Sequence, residues 1–346
     1  MSDIEVYDPH DMIHQTAHMV KDLEMSLQQD LRLSKIDFDN IIVCGMGGSA
    51  IGGDIVVDSL YPVSKYPVEV IRYPELPGWV DKHTLALISS YSGNTMETVS
   101  TYDLARERGC SIVAITSGGT LTEKCMADNV PVIKIKEGIQ PRNAVGYTVG
   151  YVINAIATVG GPNIRQECLK TIPALKKYLN DVTPLDALPR KIALELYGHL
   201  PVIYSVPEIQ AIAGRWRAQF NENGKIVAFD GRLPDSNHND IIGLLTDGTK
   251  HVKPIILTNR HQSKTMKEIV NNTLNKLKGR GFEPYVVTIT GRNSFERMFK
   301  TMILGDFISL HLAFFQSVDP SDVSSIKSLK KSLAKKLLVK RKKNKK

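Results

Sequence analysis

TLALISSYSGNTMET, residues 84–98, decides the reading of this chain. Residues 84–91 are β-prone and nearly continuous in apolarity, which marks a strand buried on both faces, as in parallel sheets. The run breaks at Ser92-Gly93-Asn94 and resumes as a helical pattern, TMETVSTYDLARERG (95–109). A strand that ends in Ser and Gly and feeds a helix is the ligand-facing end of an open α/β sheet. Ser90, Ser92, Asn94 and Thr95 offer side-chain donors, and Gly93 permits a tight turn in which backbone N–H groups converge. A helix start adds its positive end and unpaired N–H donors. Such a nest suits a phosphate dianion and requires neither lysine nor metal. Capping would account for one Ser or Thr; four donors and a glycine within residues 90–95 point to a ligand. TSGGTLT (116–122), after the next strand, can line the same crevice.

The same alternation extends in both directions. NIIVCGM (40–46), VEVI (68–71), SIVAIT (111–116) and PVIKI (131–135) read as further strands of the first half. PVIYSV (201–206), KIVAF (225–229), IIGLL (241–245), VKPIILT (252–258) and PYVVTIT (284–290) repeat the theme more weakly, followed by a long helix over about 294–316. Helical patterns at 144–160 and 165–179 lie between. The fold class is α/β, in two domains, each a mainly parallel sheet flanked by helices on both faces. We expect a first domain over 1–155 carrying the phosphate loop, a helical connector over 156–190, a second domain over 191–330 and a basic tail over 331–346. A length of 346 residues suits two such units.

GMGGSA (45–50) also joins a strand to a helix and satisfies GxGxxA. A dinucleotide site would want an acid at the end of the second strand for the ribose. That strand ends in Arg72-Tyr73, and Glu69 sits inside it, so the turn is expected to serve another ligand.

Composition narrows the classes further. No run of roughly 18 apolar residues suggests a membrane span, and MSDIEVYDPHDMIHQ has neither a basic start nor an apolar core of a signal peptide. Cys44, Cys110, Cys125 and Cys168 lack metal-site spacing, which fits a reducing cytoplasm and no metal or cofactor. The net charge of +8 belongs to the tail: from Lys330 onward there are ten Lys or Arg and no acid, leaving 34 basic against 36 acidic residues elsewhere. Such a tail can touch nucleic acid or anionic lipid. We read it as a solvated extension, and expect neither a membrane nor a nucleic acid as partner.

GMGGSAIGGD (45–54), SYSGNTMET (90–98), PRNAVGY (141–147), FNENGK (220–225), SNHND (236–240) and VDPSDVSSIKSLK (318–330) occur in that order. Through these motifs nearly the whole chain resembles the bifunctional phosphoglucose/phosphomannose isomerases, a family of the sugar isomerase (SIS) fold. The resemblance implies two SIS-type domains and a phosphosugar substrate. It implies interconversion of glucose 6-phosphate with fructose 6-phosphate through ring opening and a cis-enediol. Whether mannose 6-phosphate is also used depends on room around C2, which these motifs do not fix. It further implies that Gly47, Gly48 and Ser49, with the hydroxyls of Ser90, Ser92 and Thr95, bind substrate. Glu222 is the implied base, Arg142 the charge stabiliser and His238 the ring-opening residue, donated across a homodimer interface. A C-terminal lysine completes the implied set.

The chemistry of these residues is consistent with those roles. A carboxylate suits proton transfer between C1 and C2. A cation stabilises the oxygen charge of the intermediate, and histidine titrates near neutrality. Taken alone, Glu222 also reads as a surface acid in a turn, Arg142 as a helix-start arginine and His238 as an ordinary loop histidine. Among the tail lysines, Lys330 lies nearest the helical stripe of Ile326, Leu329, Leu333 and Leu337, whereas Lys327 and Lys331 point away, so Lys330 is expected to face inward. The alternative is a non-enzymatic phosphosugar-binding SIS regulator, which would use the same loop but leave Glu222, Arg142 and His238 without work.

Overall fold

The computed structural model describes residues 8–246, 251–330 and 332. After helix α1 (Met12–Gln28), the first half runs β1 (Asn40–Cys44), α2 (Gly48–Leu60), β2 (Val68–Ile71), β3 (Thr84–Ser90), α3 (Met96–Glu107), β4 (Ser111–Thr116), α4 (Gly119–Ala127) and β5 (Val132–Lys134). These strands form one parallel sheet in the order β2-β1-β3-β4-β5. Every residue of β3 is buried, as its unbroken apolar run predicts. Alternate residues face opposite layers: Leu85 and Leu87 join the main core, while Ala86 and Ile88 pack with Tyr102 of α3 and Leu121 and Cys125 of α4.

Helix α5 (Val145–Val159), almost wholly buried, closes the first sheet and ends at Gly160 in the left-handed region. The connector holds α6 (Arg165–Leu169), α7 (Ile172–Val182) and α8 (Leu188–Leu196). The single helix expected over 165–179 is interrupted where Pro173 enters the first turn of α7.

The second half contains β6 (Leu200–Ser205), α9 (Gln210–Glu222), β7 (Phe229–Arg232), α10 (Asp240–Leu244), β8 (Val252–Thr258), α11 (Lys264–Lys278), β9 (Tyr285–Thr288) and α12 (Ser294–Phe315). Its sheet is again parallel, in the order β7-β6-β8-β9. Two expectations fail here. The strand read at 225–229 sits at 229–232, because Lys225 is a turn residue with φ 52° and pairing begins only at Phe229. IIGLL forms the short helix α10, started by the Asn239 side chain accepting from the Asp240 N–H, and leaves Ile242 71% exposed.

Helix α12 starts with a side-chain cap, the Asn293 Oδ1 accepting from the Glu296 N–H at 2.9 Å. It is long and apolar enough to cross a bilayer, yet 83% of the relevant window is buried inside the fold. It packs on α1, α2, α7, α8 and α9, so one continuous apolar core runs through both halves.

Candidate active site

The loop expected to hold phosphate starts where β3 ends. Ser90 is buried, and its Oγ donates to the Thr95 Oγ1 at 3.3 Å. Thr95 stands at the N-cap of α3, but its hydroxyl makes no capping bond. The capping explanation therefore does not account for Thr95, whose Oγ1 keeps acceptor and donor capacity for a ligand. Ser92 is exposed, and its Oγ accepts from the Asn94 N–H. Asn94 departs from expectation. Its amide nitrogen donates to the Ser92 carbonyl, and its Oδ1 accepts from both the N–H and the hydroxyl of Thr120. It is a strut between the loops at 89–98 and 116–122 rather than a free donor. Gly93 is required at this junction: with φ 64°, a Cβ there would lie 1.7 Å from the Gly118 carbonyl oxygen.

The Gly-rich turn after β1 meets a different segment. A Cβ on Gly48 would sit 2.9 Å from the Pro141 carbonyl oxygen and 3.1 Å from the Arg142 Cα, so the turn and the arginine-bearing backbone are in direct contact. Ser49 is buried beside it. Beyond the end of β2, Arg72 pairs with Asp54 of α2, leaving no acid where a ribose would need one.

Arg142 is 4% exposed, and three groups fix its guanidinium. Nε donates to the Asn223 Oδ1 at 2.6 Å, Nη2 donates to the Pro320 carbonyl at 2.6 Å, and Nη1 stands 3.7 Å from the Glu222 Oε2. Asn223 is braced in turn by donating to the Ser309 Oγ of α12, which donates to the Asp306 carbonyl. The Arg142 carbonyl accepts from Arg215, itself held by the buried carboxylate of Asp306. Burial pushes the Arg142 pKa down and Glu222 opposes the shift. An arginine starts so high that it remains cationic at neutral pH. Glu222 ends α9 with its side chain 30% exposed, so one carboxylate is presented to solvent beside a fixed cation. A carboxylate beside a fixed cation has the chemistry of a base paired with an anion stabiliser.

Comparisons with known proteins place the chain in a family. Residues 186–333 match the model of the bacterial phospho-glucose isomerase C-terminal SIS domain. The bifunctional phosphoglucose/phosphomannose isomerase of Caldicellulosiruptor bescii is 33% identical over 339 residues, 95% of this chain and 98% of that protein. The enzyme of the same name from Thermoplasma acidophilum is 35% identical over 299 residues, 86% of this chain and 90% of that protein. The chain belongs to the bifunctional phosphoglucose/phosphomannose isomerase family. A solved glucose-6-phosphate isomerase from Chlamydia trachomatis shares the fold, with TM-score 0.70, 15% identity and coverage of 95% of this chain and 74% of that one.

Two residues that the family resemblance implicates are exposed in a single chain. His238 ends a short 3-10 turn (Asp235–His238) after β7 and is exposed. Lys330 is also exposed, and the stripe expected to turn it inward is open, with Ile326 42% and Leu329 76% exposed. The other members of that stripe, Leu333 and Leu337, and Lys331 lie outside the described residues. The lysine beside Glu222 is instead Lys225, whose Nζ donates to the Glu222 carbonyl at 2.5 Å. Its position in the FNENGK motif was the available signal, and a lysine in a polar turn reads as solvated.

Proposed function

We propose that the protein interconverts glucose 6-phosphate, and mannose 6-phosphate, with fructose 6-phosphate. The observation that carries this reading is the buried Arg142 guanidinium held 3.7 Å from the Glu222 carboxylate, on a segment touching the Gly48 turn. Ser90, Ser92 and Thr95 hold the 6-phosphate, with Ser49 and the glycines at 47 and 48 along the sugar. Glu222 removes the C2 proton of the open-chain aldose as the carbonyl electrons move to oxygen. Arg142 stabilises the negative oxygen of the cis-enediolate, a proton passes from O2 to O1 through the cis-enediol, and Glu222 returns its proton to C1 to give the ketose. Positioned acid–base catalysis of this kind contributes roughly 10²–10⁴-fold. His238 moves the ring-opening proton from a second copy of the chain. Its exposure in one chain supports that assignment. The four cysteines, all free and buried, suit a reducing cytoplasm.

The test is Glu222→Gln, assayed with fructose 6-phosphate and product-coupling enzymes for both aldoses. Turnover should fall roughly 10²–10⁴-fold while calorimetric binding of the phosphosugar persists. Wild-type kcat in this variant removes the base assignment. Tight binding without turnover by the wild-type protein would favour the regulator instead. Mixing inactive Glu222→Gln and His238→Ala chains should restore activity in mixed dimers if histidine acts across the interface.

A further inference from the structure

We infer that Lys225 is a positioning residue for the Glu222 carboxylate, through a clasp that ties the end of α9 to the segment 319–322. This rests on the proposed role of Glu222 as base. The Lys225 Nζ donates to the Glu222 carbonyl at 2.5 Å, to the Asp322 carbonyl at 2.6 Å and, at 3.5 Å, to the Pro320 carbonyl. An ammonium has three donors, so these acceptors use its full capacity and leave it no free proton to give a substrate. It acts through Glu222 and is not itself a catalytic residue.

Three features single out this lysine. The first is where its bonds go. Its ammonium lies at the C-terminal end of α9, where a cation favours the unpaired carbonyls, and the carbonyl it takes is that of Glu222 itself. The second is the shared acceptor: the Pro320 carbonyl also receives Arg142 Nη2 at 2.6 Å. Lys225 thus braces the base on one side and the strap gripping the anion stabiliser on the other. The strap is itself stiff, since Asp319 accepts from the Ser321 N–H at 2.7 Å and Asp322 from the Ser324 N–H at 2.8 Å. The third is backbone conformation. Lys225 adopts φ 52°, a region in which glycine is the unstrained choice, so the turn geometry alone does not call for lysine. The residue is exposed overall, yet partial burial of its ammonium, then Arg142, pushes its pKa down, with Asp322, Asp319 and Glu222 opposing.

The experiment uses the full chain with Lys225→Met, which loses the charge, Lys225→Gly, which also relieves the φ strain, and Lys225→Arg. Each is assayed for kcat, KM, fructose 6-phosphate binding and melting temperature. Misplacement by about 1 Å costs on the order of 10²-fold, so kcat in the Met and Gly variants should fall roughly 10–100-fold. KM, binding affinity and melting temperature should stay close to wild type, and Arg should recover much of the loss. A Gly variant with kcat within about twofold of wild type overturns the inference, because strain relief without the clasp would then suffice. So does a loss in all three variants that follows the folded fraction. Glu222→Gln in the same series separates the two claims. Full activity there removes the base reading and the clasp with it. An inactive Glu222→Gln beside a fully active Lys225→Gly removes the clasp alone.

Discussion

Replacing Gly48 by alanine puts a methyl group 2.9 Å from the Pro141 carbonyl oxygen and 3.1 Å from the Arg142 Cα. Both neighbours are backbone atoms, so no flexible side chain can swing aside. Ordinary contact begins at 3.4 Å, so in a close-packed interior the two backbones must part by about 0.5 Å. Gly48 does not need a positive φ, and alanine therefore brings no conformational penalty that would confuse the result. The far end of Arg142 is held by Asn223 and Pro320, so a displaced Cα pulls on those two bonds, and as they yield the 3.7 Å separation from Glu222 changes with them. Scaling from about 10²-fold per ångström, a loss of roughly tenfold in kcat is expected. The assay is coupled conversion of fructose 6-phosphate, with Gly243→Ala as control, since a Cβ there meets nothing within 4 Å. Equal kcat in Gly48→Ala, Gly243→Ala and wild type would refute the idea that this turn sets the arginine. A rise in KM alone would assign Gly48 to phosphate contact instead.

Two stability predictions follow from α12. Asp306→Asn leaves Arg215 as a buried cation without its carboxylate. Breaking such a pair costs about 3–5 kcal/mol, read from urea unfolding, with Arg142 loosened through its carbonyl bond to Arg215. His311 is buried on the same helix, and burial, then Arg190, pushes its pKa down to about 4 from 6.5. The unfolded chain takes up that proton first as pH falls, so the contribution is intact above pH 6.5 and is lost as pH falls through about 4. The loss amounts to about 3 kcal/mol, and a His311→Leu variant should show a correspondingly flatter dependence of unfolding free energy on pH.

Where both faces of a strand are buried, sequence alone located it. β1, β3 and β4 are nearly continuous apolar runs, and β8 becomes one after Lys253. The edge strand β7, Phe-Asp-Gly-Arg, pairs on one side only and is largely exposed, so it carries no such signal. IIGLL has the composition of a strand, but residues 239–244 form a capped turn of helix, and short apolar runs do not separate the two. The hydroxyls at 90, 92 and 95 stood out in the sequence because their density exceeded what capping requires, and Thr95 makes no capping bond. Asn94 was misread because side-chain donors look alike until their partners are known. Lys225 escaped notice because its importance rests on three main-chain oxygens, two of them nearly a hundred positions away in the chain.

Helix α12 touches α1 and α2 from the first half, α7 and α8 from the connector and α9 from the second half, and it lies in the apolar core that runs through both halves. A rod shared in this way leaves no dry seam along which the two sheets could swing apart. On the proposed reading, the sugar would then enter a cradle already formed within each chain rather than one closed by a jaw-like motion of the two sheets.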